Sequence, residues 1–296
     1  MQRLGVDVSF SVSASTWGKL KNQGVTFAFI KASEGYPDSS STDRAMRQCF
    51  INNVNAATSK GIMVGAYHFC RAMNVNTGSS VNKLSVETEV NLFLSNVIAA
   101  GGYSKIKLPL VIDMEDNNND RYKTLTKEAN TNIAKAYATA IAKAGFEPCL
   151  YLNNDFRVNC YNMANLGDLK LWFATRNTSY IDAKNLCPTM SFWQYAEDAP
   201  FVDVTQVFDV NECYIEFSET ELFDHASYPG IQTKSGSPVY IDYTENKIFI
   251  PQSYTNAQLV YTLRSLSNDF TFIIDNTYVK LLYSNQYVVV LTRQSY

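Results

Sequence analysis

Seven short apolar runs recur through the first two-thirds of the chain, and nearly all end in polar or charged residues. They read RLGVDVS (3–9), VTFAFIKAS (25–33), IMVGAYHF (62–69), LPLVIDMED (108–116), EPCLYLN (147–153), LKLWFAT (169–175) and MSFWQYA (190–196). Each has the length of a strand, and each is bounded by polar residues or glycine. Helical periodicity falls between several of them. In TKEANTNIAKAYATAIAKAG (126–145), Ile133, Ala136, Tyr137, Ala140, Ile141 and Ala144 recur at three- and four-residue steps, with Gly145 at the place of a C-terminal cap. A second helix is expected to carry Val86, Val90, Phe93, Leu94 and Val97. Strand and helix in alternation over about 215 residues predict a mostly parallel α/β fold, with a barrel favoured over an open sheet.

In such barrels the chemistry sits where the strands end. The polar ends here are Asp7 and Ser9, Lys31 to Glu34, Tyr67, His68 and Arg71, Asp113 and Glu115, then Trp193, Gln194 and Tyr195, with Asp209 and Asn211 in FDVNEC. Taken singly, each has a plain structural role open to it. A strand-end Asp often caps a helix, a lone His is usually a satisfied core residue, and Trp-Gln-Tyr is usually packing. Their convergence on one face is harder to assign to packing. Neither a glycine-rich phosphate loop nor a His/Cys grouping of metal-site spacing is present, so no cofactor and no metal is expected. Carboxylates beside aromatic rings suit a neutral glycan.

Composition narrows the classes further. With 296 residues, 46% hydrophobic and 18% charged, the chain is long enough for one large domain and a small one. A net charge of -3 and the lack of a Lys/Arg cluster give no footprint for nucleic acid or an anionic membrane. The start, MQRLGVDVSF, turns into an alternating strand within four residues, so no signal peptide is expected and synthesis in a host cytoplasm is the working expectation. Six scattered cysteines without CxxC spacing are read as reduced, mostly buried thiols.

The motifs GVDVS (5–9), FAFIKASEG (27–35), GAYHFCR (65–71), PLVIDMED (109–116), LWFA (171–174), WQY (193–195) and FDVN (208–211) resemble, in order and spacing over residues 1 to about 216, the family-25 glycoside hydrolases. These are lysozymes, N-acetylmuramidases that cleave the bond between N-acetylmuramic acid and N-acetylglucosamine in peptidoglycan, many of the phage endolysin type. The resemblance implies an irregular, flattened β/α (TIM-like) barrel. It implies Glu115 as general acid, Asp113 as its partner carboxylate, and Asp7 and Asp209 on the same acidic floor. Tyr67, Trp193 and Tyr195 would contact sugars, while Lys31, Glu34, His68, Arg71 and Gln194 would hold the pocket together. Retention of configuration and an orienting role for Asp113 toward the substrate's acetamido group also come from the resemblance.

Physical chemistry supports that division of labour. Glycoside hydrolysis needs one carboxyl protonated and another ionised near neutrality, and crowded acids separate in proton affinity. Residues two apart on a strand share a face, so Asp113 and Glu115 face the cleft together and Asp116 faces away. Their side-chain roots would lie roughly 6.6 Å apart, between the retaining and inverting ranges. Two departures from the family pattern stand out: TRN after LWFA puts Arg176 where an aromatic is usual, and RAMNVNTGSSVNKLSVE (71–87) is a long polar insert.

A compositional seam follows. All six cysteines and all three tryptophans precede residue 217, whereas nine of nineteen tyrosines lie beyond 218. The boundary is placed in FSETELFDHASYPG (217–230), giving a catalytic domain over 1–217 and a small β-rich C-terminal domain over 225–296. Strands are expected at PVYIDY, KIFIP, FTFIID, YVKLLY and QYVVVLT, and a helix at NAQLVYTLRSL with Leu259, Leu263 and Leu266 on one face. This module is expected to bind a wall polymer; its tyrosines also fit plain cross-strand packing, and YVVVLT would promote self-association if it were an unpaired edge. Two alternatives to a muramidase stay open: a glycan-binding protein with a degenerate barrel, and an N-acetylglucosaminidase acting on the same polymer.

Overall fold

The computed structural model describes residues 3–36, 41–75, 85–115, 122–215, 239–242, 247–256, 258–259, 262–263, 270–274, 278–283 and 286–295. Within it the seven apolar runs form strands, interleaved with helices: β1 (Arg3–Val8), α1 (Ala14–Asn22), β2 (Val25–Glu34), α2 (Ser41–Ser59), β3 (Met63–Phe69), α3 (Val86–Ala99), β4 (Ile106–Asp113), α4 (Lys127–Lys143), β5 (Pro148–Asn153), β6 (Lys170–Ala174), α5 (Tyr180–Leu186), β7 (Phe192–Pro200) and β8 (Val207–Cys213). The eight strands close into a barrel in chain order. Neighbours from β1 to β7 are parallel, whereas β8 runs antiparallel to both β7 and β1.

This is the expected β/α barrel, and its irregularity has visible causes. A hairpin replaces the last crossover helix, and between β5 and β6 the chain makes only short helical turns, Phe156–Cys160 and Met163–Asn165. Hydroxyl side chains start the helices as N-caps: Ser13, Ser85, Thr126 and Ser179 each accept a hydrogen bond from the backbone N–H three residues on. Gly145 takes φ 82° just beyond α4, where a left-handed residue ends the helix. The 86–99 helix buries Val86, Val90, Phe93 and Val97 as its spacing requires.

Strand alternation sorts the side chains into two cores. Leu110, Ile112 and Met114 face outward into the layer shared with the helices, where Trp17, Phe93 and Tyr137 also pack. Phe27, Phe29, Val111, Cys149, Trp172 and Phe192 face inward and fill the barrel. Phe29 stacks on Trp172 with centroids 4.7 Å apart and meets Phe192 edge-on at 4.9 Å. Rings this large need small partners on adjoining strands. A Cβ at Gly5 would run into the Phe27 ring, and one at Gly65 would lie 2.5 Å from the Phe29 ring and 2.9 Å from the Pro109 carbonyl oxygen.

A second, five-stranded sheet comprises β9 (Tyr240–Asp242), β10 (Lys247–Ile250), β11 (Phe270–Ile274), β12 (Tyr278–Tyr283) and β13 (Gln286–Ser295), in the order β11-β12-β13-β10-β9. Helical residues at 256, 258, 259, 262 and 263 bring buried Leu259 and Leu263 against Ile248, Ile250, Val279 and Leu291. YVVVLT lies in β13, where Tyr287 and Val289 to Thr292 pair with β12 on one side, while on the other side β10 pairs with Thr292 to Ser295. The seam at 217–230, the 76–84 part of the polar insert, Leu266, and Asp116 with the loop after it lie outside the described residues.

The packing around Gly65 gives a direct test. Gly65→Ala is expected to lower stability by about 1 to 3 kcal/mol, because ring and carbonyl both belong to the closed interior. Denaturant unfolding of the two chains, followed by tryptophan fluorescence, measures it; an unchanged midpoint would contradict the packing described.

Candidate active site

The parallel strands β1 to β7 all deliver their carboxyl ends to one mouth of the barrel. Because β8 runs the other way, its early residue Asp209 pairs in register with Asp7, which lies late in β1. A cleft of about 460 Å³ opens there, lined by Asp7, Tyr67, Asp113, Glu115, Tyr151, Asn153, Trp172, Ala174, Thr175, Arg176, Gln194, Glu197 and Asp209. All four carboxylates singled out in the sequence therefore meet in one cavity. Strand β4 ends at Asp113, and Glu115 still lines the cleft from beyond that end. Outward-facing Met114, between them, is fully buried and anchors the turn.

A chain of side-chain hydrogen bonds fixes the floor. Trp172 Nε1 donates to Asn211 Oδ1 at 2.7 Å, and Asn211 Nδ2 donates to Asp7 Oδ2 at 2.8 Å. From the other side Tyr151 donates its hydroxyl to Gln194 Oε1 at 2.9 Å, and Gln194 Nε2 donates to the same Asp7 oxygen at 3.0 Å. Gln194 Nε2 also lies 3.5 Å from Asp209 Oδ2, whose partner oxygen accepts the Asp198 N–H at 3.1 Å. Asp198 takes φ 50° to offer that N–H.

Burial dominates the electrostatics. Solvent reaches Asp7 from the cleft, yet desolvation first, then the Asp209 charge, push its carboxyl up to about 7 against the opposing hydrogen bonds of Asn211 and Gln194. Asp113 is raised well above the carboxylate range by desolvation and then by Glu115, with Lys31 opposing and Asp7 adding to the rise. Asp209 is raised by desolvation, moderated by the Asp198 N–H and by Arg176. Neighbouring acids of this kind share protons and titrate as a group. The same burial and charges keep the Tyr67 phenol neutral, its affinity for the proton raised by desolvation and then by Asp7, Asp113 and Glu115.

The remaining predicted residues divide. Tyr67 and Gln194 line the cleft. Trp193 and Tyr195, expected to touch sugars, stand on the opposite face of β7 from Gln194, as the two-residue period of a strand requires. Trp193 is buried, donates its indole N–H to the Thr175 carbonyl at 2.9 Å, and packs on Tyr195 and Tyr180. Through that bond it braces the loop that brings Thr175 and Arg176 to the cleft. His68 likewise faces outward and is fully buried behind the wall.

Lys31, Glu34 and Arg71 form an ionic triad at the exits of β2 and β3: Lys31 Nζ lies 2.6 Å from Glu34 Oε2, and the Arg71 guanidinium grips Glu34 Oε1. Desolvation works to raise the Glu34 carboxyl, but the two cations outweigh it and hold it below its usual range. Glu34 and Arg71 border a separate depression of about 310 Å³ with Tyr36, Asp43 and Met46.

Sequence reasoning passed over Tyr151, Asn153, Trp172 and Glu197. Tyr151, Asn153 and Trp172 sit in runs already recognised as strands, at inward positions, so counting alternate residues back from the strand ends would have found them. Glu197 pairs with Arg176 across the lip of the cleft. Among the described residues no group of three or more His, Cys, Asp or Glu side chains is arranged to hold a metal ion.

The raised Asp7 carboxyl predicts a pH-dependent stability. Its value is 3.8 when unperturbed and about 7 when folded. Between those values the folded chain holds a proton that the unfolded chain has lost. The group's stabilising contribution is complete below its unfolded value and disappears as pH rises through the folded one. Asp7→Asn, which keeps an acceptor for Asn211 and Gln194 but cannot ionise, is expected to gain on the parent by on the order of 1 to 3 kcal/mol between about pH 4 and about pH 8. Denaturant titrations at both values measure the gain; a difference independent of pH would overturn the reading.

Comparison with known proteins agrees with this geometry. Residues 6–204 match the family described as glycosyl hydrolases family 25. Lysozyme M1 of Streptomyces globisporus is 31% identical over 200 residues, covering 65% of this chain and 61% of that protein, so the chain spans less than two-thirds of that relative's length. A family 25 glycosyl hydrolase of Bacillus anthracis superposes with a TM-score of 0.52 at 24% identity, covering 74% of this chain and 92% of that one. The bacterial lysozyme of Streptomyces coelicolor gives 0.53 at 23% identity, covering 75% and 96%. These likenesses establish a shared fold, and with the family match over residues 6–204 they place the chain in glycosyl hydrolases family 25.

Proposed function

We propose that the chain hydrolyses the β-1,4 bond between N-acetylmuramic acid and N-acetylglucosamine in peptidoglycan, with Glu115 as general acid and Asp113 as its partner. The observation that carries the proposal is the meeting of Asp7, Asp113, Glu115 and Asp209 in a cleft floored by Tyr67, Tyr151 and Trp172. Aromatic faces suit the apolar side of a sugar ring, and crowded carboxyls supply both a proton donor and an anion. Asp113 Oδ1 is buried and accepts no hydrogen bond from the described residues, so it suits a substrate N–H such as that of an acetamido group. Glu115 is only partly buried and lines the cleft from beyond the strand end, where a leaving oxygen can meet it.

One observation favours a second reading. Burial and the neighbouring Glu115 charge raise the proton affinity of Asp113, which would suit Asp113 as the acid. Leaving-group dependence separates the two. The true acid can be deleted with little loss on an aryl glycoside whose phenol departs unprotonated, whereas on peptidoglycan its loss costs roughly a hundredfold or more. Glu115→Gln is expected to show that contrast and Asp113→Asn to be impaired on both substrates. Mass spectrometry of the digest is expected to find muramic acid at the new reducing ends; glucosamine ends, or undiminished activity in Glu115→Gln, would refute the assignment.

We extend the proposal to the whole chain as a bacteriolytic, endolysin-type enzyme, made in a host cytoplasm and acting at the wall. In it, residues 1–217 act as the catalytic unit, and 225–296 retain the enzyme on a wall polymer. The second sheet supports this through its own buried cluster around Ile248, Leu259, Leu263 and Leu291, as a separate module requires. A chain ending at residue 217 is expected to cleave soluble glycan fragments at the parent's rate but to stay in the supernatant when walls are sedimented. Equal retention of both chains on the walls would remove the binding role.

A further inference from the structure

Behind the barrel wall, on the side of β3 away from the cleft, one carboxylate gathers three donors. Glu89 of α3 is fully buried, and its Oε2 accepts the Arg71 backbone N–H at 2.8 Å, the Tyr137 hydroxyl of α4 at 2.6 Å and His68 Nε2 at 3.0 Å. Accepting from His68 requires a proton on Nε2, so for a neutral ring the Ser33 hydroxyl, 2.8 Å from Nδ1, is the donor there. A buried carboxylate is costly unless its partners are many and well placed, and no step of the proposed hydrolysis touches this one.

Its partners explain its place. His68 and Arg71 bracket the exit of β3, the segment that carries Tyr67 into the cleft and Arg71 to Glu34. Between them, the Cys70 backbone N–H donates to the Asp113 carbonyl at 2.8 Å, tying that exit to the end of β4. We propose that Glu89 is a positioning residue: through His68 and the Arg71 N–H it fixes the exit of β3, and through the Cys70–Asp113 backbone bond it fixes Asp113 for reaction. The assignment rests on the hydrolytic reading for its effect on rate, but its mechanical half stands by itself.

The tests separate positioning from mere stability. Tyr137→Phe removes one bond without changing shape, and is expected to lower kcat on soluble peptidoglycan fragments roughly three- to tenfold at unchanged KM. Hydrogen exchange at the Cys70 amide is expected to quicken by a similar factor. Glu89→Leu should lose more where it folds. Glu89→Gln should recover most of the parent's kcat, since its amide oxygen at the Oε2 place can still accept from Arg71, Tyr137 and His68. With two histidines in the chain, ¹⁵N spectra of the ring nitrogens are expected to show the Nε2–H tautomer of His68 in the parent and in Glu89→Gln alike. Val25→Ala, at the far end of the barrel, should lose stability but keep kcat. Parent-like kcat and Cys70 exchange in Tyr137→Phe, or an equal kcat loss in Val25→Ala, would overturn the proposal. If the parent chain releases no reducing ends, the hydrolytic reading fails separately, and Cys70 exchange still decides the positioning claim.

Discussion

The structure depends on keeping several carboxylates in one poorly hydrated cleft without letting their repulsion open the barrel. Asp7 shows how this is managed. Its Oδ2 accepts two amide N–H groups, each held from behind by an aromatic side chain, Trp172 through Asn211 and Tyr151 through Gln194. Those amides cannot rotate away without abandoning a buried donor, so the floor is stiff as well as polar. Burial still wins over the hydrogen bonds at Asp7, which therefore holds a proton up to about 7. The cleft is thus a shared proton store whose charge is limited by its own desolvation, and Lys31 and Arg176 moderate it from opposite sides, at Asp113 and Asp209.

Beneath that floor the aromatic plug serves packing and chemistry together. Trp172 stacks on Phe29 below, meets Tyr151 at 4.8 Å and supplies the indole N–H that starts the hydrogen-bond chain above. Glycines at 5 and 65 give the rings their room. A change deep in the plug therefore reaches Asp7 through one side chain and one hydrogen bond.

Much of this was legible in the sequence because a barrel of parallel strands writes its register into the chain. Asp113 followed an apolar run, and a two-residue step carried the same face to Glu115. The same period, applied to WQY, would have set Trp193 and Tyr195 apart from Gln194; the resemblance to a family grouped all three, and the structure separates them. His68 was hidden for a related reason. Its partners Glu89 and Tyr137 lie 21 and 69 positions away on two helices, and no local pattern announces a buried acid inside an amphipathic face. Long-range pairings such as Arg176 with Glu197 and Ser33 with His68 depend on how loops and strands meet, which periodicity does not encode.

The reversed strand β8 shows why the closure of this barrel departs from a regular eight-fold one. A parallel eighth strand would bring its carboxyl end to the mouth, and Cys213 would stand where Asp209 now stands. Running antiparallel, β8 instead presents its first half to the cleft, so Asp209 pairs with Asp7 and Asn211 with Gly5. Asn211 can then reach both Trp172 and Asp7, because it lies two residues below Asp209 on the same inward face. The two neighbours that most raise and most steady Asp7, Asp209 and Asn211, thus come from a single strand whose direction, rather than its composition, brings them to the floor.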